Sequence, residues 1–235
     1  MKFPLSAEQI NTPSHHNATV PNFNRLARPY RWLEYLAFGP FLWRCRTHYL
    51  RDLSNCRHAL ILGDGDGRFT ARLLRTNPSI RITAVDGSPR MIESMRRAAK
   101  PCHDRLTTEI ADLRTWKPLN PEPFDLVVAH FFLDCLTTRE VAQMAARVTP
   151  GTTAGALWLV SEFAIPGTLF GRILAAPVVK GLYFAFRCLT GLNLRSLPDY
   201  PQALGSTGWQ PQKEHRHLSG LLVSQLWCRR KNPSR

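Results

Sequence analysis

The chain has 235 residues, a formal net charge of +14 and 44% hydrophobic residues, a length that holds one large α/β domain with an arm and buries a substantial core. No uninterrupted apolar run of about 18 residues is present, which excludes a transmembrane helix at this stage. The opening stretch MKFPLSAEQINTPSHHNATV lacks the apolar segment of a signal peptide. The expected class is soluble, globular and cytoplasmic.

In chain order, residues 1–24 read as a polar, disordered lead-in. The remainder, 25–235, reads as one domain. It opens with a helical arm over 25–57, where apolar residues recur every three to four positions and Gly39-Pro40 breaks the pattern. HALIL is then a short buried strand, followed by three glycines and the helix RFTARLLR. IRITAVD is a second strand. The next helix has Ser88 as N-cap and Pro89 at its first position. RLTTEIADL and FDLVVAHFF are the third and fourth strands. TTREVAQMAARVT is a helix capped by Thr137 or Thr138, and GALWLVSEF is the fifth strand. This alternation predicts a Rossmann-like, doubly wound α/β fold with a parallel sheet. Residues 164–200 interrupt it with a long apolar, helix-like segment. The ending GWQPQKEHRHLSGLLVSQLWCRR reads as an antiparallel hairpin turning at His217–Gly220.

The chemistry concentrates at LILGDGDGRFTARLL. Glycines after a first strand allow a sharp turn and a close approach to a ligand. The spacing is Gly63-x-Gly65-x-Gly67, and Arg68 occupies the position where the dinucleotide fingerprint needs its third glycine. The Walker lysine is absent. Asp64 and Asp66 would repel a pyrophosphate laid on the helix N-terminus, but suit S-adenosylmethionine, which carries a sulfonium and an ammonium group. Asp86, ending the second strand, can accept both ribose hydroxyls, a feature shared by dinucleotide and methionine-adenosine sites. Asp112, after the third strand, can accept from the adenine amino group with Leu113 against the ring, or can cap a turn.

LILGDGDG, AVDGSPRMIESMRR, IADL and FDLVVAHFFLDCL stand in the order and spacing of class I S-adenosylmethionine-dependent methyltransferases, which the chain resembles over residues 58–163. The resemblance implies a seven-stranded sheet with a C-terminal antiparallel hairpin. It implies S-adenosylmethionine as cofactor, placed among Gly63, Asp64, Gly65, Gly67, Asp86 and Gly87, with Asp112, Leu113 and His130 completing the site. The family's usual acid two residues before the first glycine is replaced by Ile61, and Asp64 is the expected substitute for holding the methionine ammonium.

The arm resembles that of quinone and isoprenoid-type methyltransferases through Tyr30 and Phe38-Gly39, although Arg31 follows Tyr30 where those enzymes have Asp. The segment 164–200 lies where the family inserts a substrate lid. Tyr30, Phe170, Tyr183 and Phe186 are the expected substrate contacts, favouring a small apolar or aromatic, even lipid-like, acceptor. His130 is the candidate general base for any acceptor that must lose a proton, or is simply a satisfied loop histidine.

The basic charge clusters in the arm and the C-terminal tail without interleaved aromatics, and AHFFLD lacks the proline loop of nucleic-acid amino-methylating enzymes. A nucleic-acid partner is therefore not expected, while peripheral contact with an anionic membrane stays open. The 6 cysteines form no CxxC pair, so no metal is expected and reduced thiols are. A nicotinamide-dependent reductase would need a Tyr-x-x-x-Lys helix that is absent. A non-catalytic module on the same fold is the other alternative.

Overall fold

In the computed structural model, residues 40–119, 122–164 and 197–230 are described. The sheet has seven strands in the order β3-β2-β1-β4-β5-β7-β6. These are β1 His58–Leu62, β2 Arg81–Asp86, β3 Leu106–Ile110, β4 Phe124–His130, β5 Thr152–Phe163, β6 Trp209–His217 and β7 Leu222–Arg229. The first five run parallel, and β7 pairs antiparallel with both β5 and β6. The expected doubly wound sheet and closing hairpin are both present.

Five α-helices occur among the described residues: α1 Phe41–Thr47, α2 Arg68–Thr76, α3 Pro89–Ala98, α4 Thr138–Val148 and α5 Tyr200–Gly205. Local chemistry explains their starts. Ser88 accepts from the Met91 amide with Pro89 behind it, and Thr137 forms a reciprocal capping box with Glu140.

All five residues of β1 are buried, because helices cover both faces of the parallel sheet. Alternate residues go to opposite cores. Leu60, Leu62, Val127 and Ala129 pack with Val141, Met144 and Val148 of α4 and with Leu204 of α5. Ala59, Ile61, Leu126 and Val128 pack with Phe69 and Leu73 of α2, Ile92 and Met95 of α3, and Tyr49 and Leu53 from the arm. The described end of the arm docks on β5 and β7. The Cys45 carbonyl accepts from Ser224 Oγ and from Ser161 Oγ (3.4 Å), and Leu42 and Cys45 pack against Phe131, Phe163 and Leu222. The five described cysteines are free.

Strand order reverses between β1 and β4. In open α/β sheets the crevice beyond the carboxyl ends of such a pair is where ligands bind. The glycine loop follows β1 there, and His130 ends β4.

Candidate active site

The loop after β1 turns because Gly63, Gly65 and Gly67 all hold left-handed backbone, with φ of +66°, +62° and +77°. Their surroundings differ. A Cβ on Gly63 would lie 2.7 Å from the Phe132 ring, and one on Gly67 only 2.4 Å from the Met95 Cα. A Cβ on Gly65 would meet nothing within 4 Å. Gly63 and Gly67 are thus fixed by packing, while Gly65 is the open rung.

Asp86, at the tip of β2, ties this rung down. Its carboxylate accepts from the Ser88 amide at 2.8 Å and from the Gly65 amide. Burial pushes its pKa up to about 6, against the opposing pull of those two amides. The Asp86 carbonyl in turn accepts from the Ala111 amide at 3.2 Å, which draws the turn after β3 to the same edge.

The other loop acids point elsewhere. Asp64 is buried, and its Oδ2 accepts from the Thr70 amide (2.9 Å) and hydroxyl (2.7 Å), anchoring the first turn of α2. Its Oδ1 is buried without a hydrogen-bond partner. Burial raises its pKa to about 6, with the charge of Arg46 the largest opposing influence. Asp66 pairs with Arg68 at 2.9 Å. The expectation that both aspartates present charge to the ligand is therefore corrected: one faces inward and the other is neutralised. Asp112 is also engaged, since Arg114 Nη2 donates to it at 2.7 Å and the Arg114 amide at 2.9 Å. Those bonds from Arg114 hold its carboxyl below the usual range. Leu113 is buried in the α4-side core rather than offered to the crevice.

The facing wall follows β4. Phe131 holds positive φ (+50°), and its amide donates to the Ser161 carbonyl at 2.7 Å. Glu162, 1% exposed, reaches from β5 to accept from the Phe132 (3.1 Å) and Leu133 (2.8 Å) amides. Burial first, then the Asp134 charge, push its carboxyl well above the usual range, so it favours the neutral acid. This grip sets Phe132 against Gly63. His130 is buried edge-on to Phe69 at 4.4 Å, and neither ring nitrogen has a hydrogen-bond partner. Burial, with the Arg46 charge adding, holds it well below its ordinary pKa and keeps it neutral.

Residues 59–151 match the model of a family described as methyltransferase domain. Over that stretch the chain is similar to a methyltransferase domain. Trans-aconitate 2-methyltransferase of Escherichia coli is 37% identical over 84 residues, covering 36% of this chain and 31% of that enzyme. The chain thus spans about a third of the length of the curated relatives it matches. Among solved structures, the N-methyltransferase NodS from Bradyrhizobium japonicum in complex with S-adenosyl-L-homocysteine has a TM-score of 0.60 at 16% identity, over 82% of this chain and 88% of that one. The mitomycin 7-O-methyltransferase MmcR has a TM-score of 0.65 at 19% identity, over 91% and 61%. The fold is the Rossmann-like one that these methyltransferase structures share.

On this fold the predicted residues separate into groups. The loop glycines, Asp64, Asp86 and His130 converge at the ends of β1, β2 and β4, and exposed Gly87 follows Asp86 at the same rim. The turn that carries Asp112 reaches the same edge through the Ala111 bond, while the Leu113 side chain stays in the core, and Arg147 of α4 holds the turn through the Leu113 (3.2 Å) and Trp116 (3.0 Å) carbonyls. Tyr30, Phe170, Tyr183 and Phe186 lie outside the described residues, as does most of the expected lid.

Two residues escaped the sequence reading. Glu162 had a visible signal, an acid inside the apolar run GALWLVSEF. Arg46 had none, because its influence on Asp64 and His130 arises only when the arm docks. Its guanidinium lies 5.3 Å from the Phe131 ring centroid.

Proposed function

We propose that this chain transfers a methyl group from S-adenosylmethionine to a small apolar or aromatic acceptor. The observation that carries the reading is the open Gly65 rung, bonded through its own amide to Asp86 at the strand-order switch. That cradle suits an adenosine-bearing ligand, and the methyltransferase match over residues 59–151 selects the methyl donor among such ligands.

When bound, S-adenosylmethionine supplies an activated methyl carbon, so the protein's task is to align and desolvate the reactants. Asp86 would take the ribose hydroxyls and Gly65 would allow the close approach. Asp112 would meet the adenine amino group beside Arg114. Ile61 is 1% exposed in the core and offers nothing to the methionine ammonium. Asp64, turned inward, would serve it only by changing rotamer. His130 is in the protonation state of a base but is enclosed, so it stands here as a wall residue and the rate rests on positioning. The aromatic residues within 164–200 support the apolar acceptor, as does the chemistry of the arm sequence.

Isothermal titration and a tritiated-donor assay test this together. Wild type is expected to bind S-adenosylmethionine, and Asp86→Ala to bind it about tenfold or more weakly, since hydrogen bonds to a charged group are lost. Label is expected in a lipid extract. Label in a panel of carboxylic acids instead would keep methyl transfer and replace the apolar acceptor. Binding without label in any fraction would leave a non-catalytic module. Binding of NADPH in place of the methyl donor would overturn the reading altogether.

A further inference from the structure

Far from the glycine loop, three histidines meet at the edge of the sheet. His48 follows the C-terminus of α1, and His215 and His217 lie two apart on β6, which puts them on one face of that strand. The His48 and His215 rings stack at 3.9 Å with 12° between their planes. His217 stands edge-on to both, at 5.3 Å and 4.5 Å. One ring nitrogen from each residue lies within 4.8 Å of the other two.

A ring stack alone does not explain this grouping. His217 Nε2 is sheltered from solvent and has no hydrogen-bond partner. Such a nitrogen loses its hydration without compensation unless something binds its lone pair. The neighbouring acids are directed elsewhere: Asp52 takes Lys213, and Glu214 takes Arg216 and Gln225.

We propose that His48, His215 and His217 form a zinc-binding site that ties the N-terminal arm to the edge strand of the sheet. The donor set selects the metal class. Three imidazoles suit zinc and neighbouring late divalent metals, whereas calcium and magnesium need oxygen ligands. Ligands at about 2.0–2.1 Å in a tetrahedral shell stand about 3.3 Å apart; because the His48 and His215 rings are stacked nearly parallel, one of them must turn out of the stack to bring its in-plane lone pair onto the ion, and water takes the fourth position. The role inferred is that of a tether, in an open three-imidazole shell rather than the closed four-ligand shell of ordinary structural zinc. β6 lies three strands from β4 in the sheet order, away from the proposed methyl-transfer crevice. A metal here joins segments distant in sequence, and would hold the arm's docked end against β6 in addition to the Cys45 contacts on β5 and β7.

Zn²⁺ titration by calorimetry, and Co²⁺ absorption as a report of tetrahedral geometry, test the site on tag-free full chain. One equivalent of Zn²⁺ at micromolar or tighter affinity is expected, with binding at least about tenfold weaker in His48→Ala, His215→Ala and His217→Ala. His103→Ala and the double variant His15→Ala/His16→Ala are expected to bind as wild type does. S-adenosylmethionine affinity, unchanged in His215→Ala, shows that the variant is folded and keeps this test separate from the proposed function. Absence of saturable binding to wild type overturns the proposal. So does binding that survives His215→Ala and His217→Ala, or that is lost only in the His15/His16 variant.

Discussion

The acids at the glycine-loop end and those on the β6 edge contain the same side chains in opposite circumstances. Asp64, Asp86 and Glu162 are buried and held by amides or hydroxyls of neighbouring segments. Asp52 and Glu214 sit near the surface and pair with Lys213 and Arg216. The first group defines the shape of the crevice, because each carboxylate removed there orphans buried backbone donors. The second group, Asp52 from the arm and Glu214 on β6, lies at an edge strand whose central residues are exposed. Charges and Pro211 there discourage pairing with another chain. Burial, not residue type, sets the energetic weight of an acid.

The sharpest way to probe the buried end is through its glycines. Gly67→Ala should be the most damaging change, since the new methyl meets backbone at 2.4 Å as well as adopting positive φ. A loss above about 3 kcal/mol in urea unfolding is expected. Gly65→Ala carries only the backbone strain, about 1–2 kcal/mol, yet should abolish S-adenosylmethionine binding. Equal stability losses would dissolve the distinction between packed and open rungs. Next comes Glu162. Glu162→Ala strips the Phe132 and Leu133 amides of their acceptor and should cost about 2–4 kcal/mol, whereas Glu162→Gln keeps an oxygen there and should cost less than half as much. If both variants lose the same stability, the neutral-acid reading of Glu162 is wrong.

A pH series refines the comparison further. Burial raises the folded pKa of Asp64 from 3.8 to about 6, so the folded chain holds this proton more tightly than the unfolded one. The associated stability is present below pH 3.8 and is lost as pH rises through about 6. Asp64→Asn should therefore gain up to about 3 kcal/mol on wild type between pH 4 and 7. Using the difference between variants removes His217, whose lowered pKa works in the opposite direction over the same window. The smallest effect belongs to the edge. Lys213 is 52% exposed in its pair with Asp52, and Lys213→Ala should change stability by less than about 0.5 kcal/mol, with any effect fading in salt.

The positions of strands and helices along the chain were legible because the parallel strands are short apolar runs separated by turn and cap residues. HALIL, IRITAVD and FDLVVAHFF lie within a residue or two of β1, β2 and β4, and Ser88 and Thr137 cap the helices they were expected to cap. The fifth strand is longer than GALWLVSEF suggests, beginning at Thr152, because β4 extends its pairing past Gly155 through an irregular register. The roles of the loop acids were less legible. Asp64, Asp66 and Asp112 have the right chemistry at the right places in sequence. Their orientation depends on Thr70, Arg68 and Arg114, which compete for the same oxygens.

The sequence by itself determined the doubly wound sheet, the closing hairpin and the glycine turn, since periodicity and φ preference are local properties that a run of residues carries in any context. Only the tertiary structure decided which acids face the crevice, that Glu162 grips the wall after β4, and that Arg46 comes up beneath Asp64 and His130. It alone assembled His48 with His215 and His217. Each of these depends on the docking of segments far apart in the chain, and no spacing within a single segment encodes such a contact.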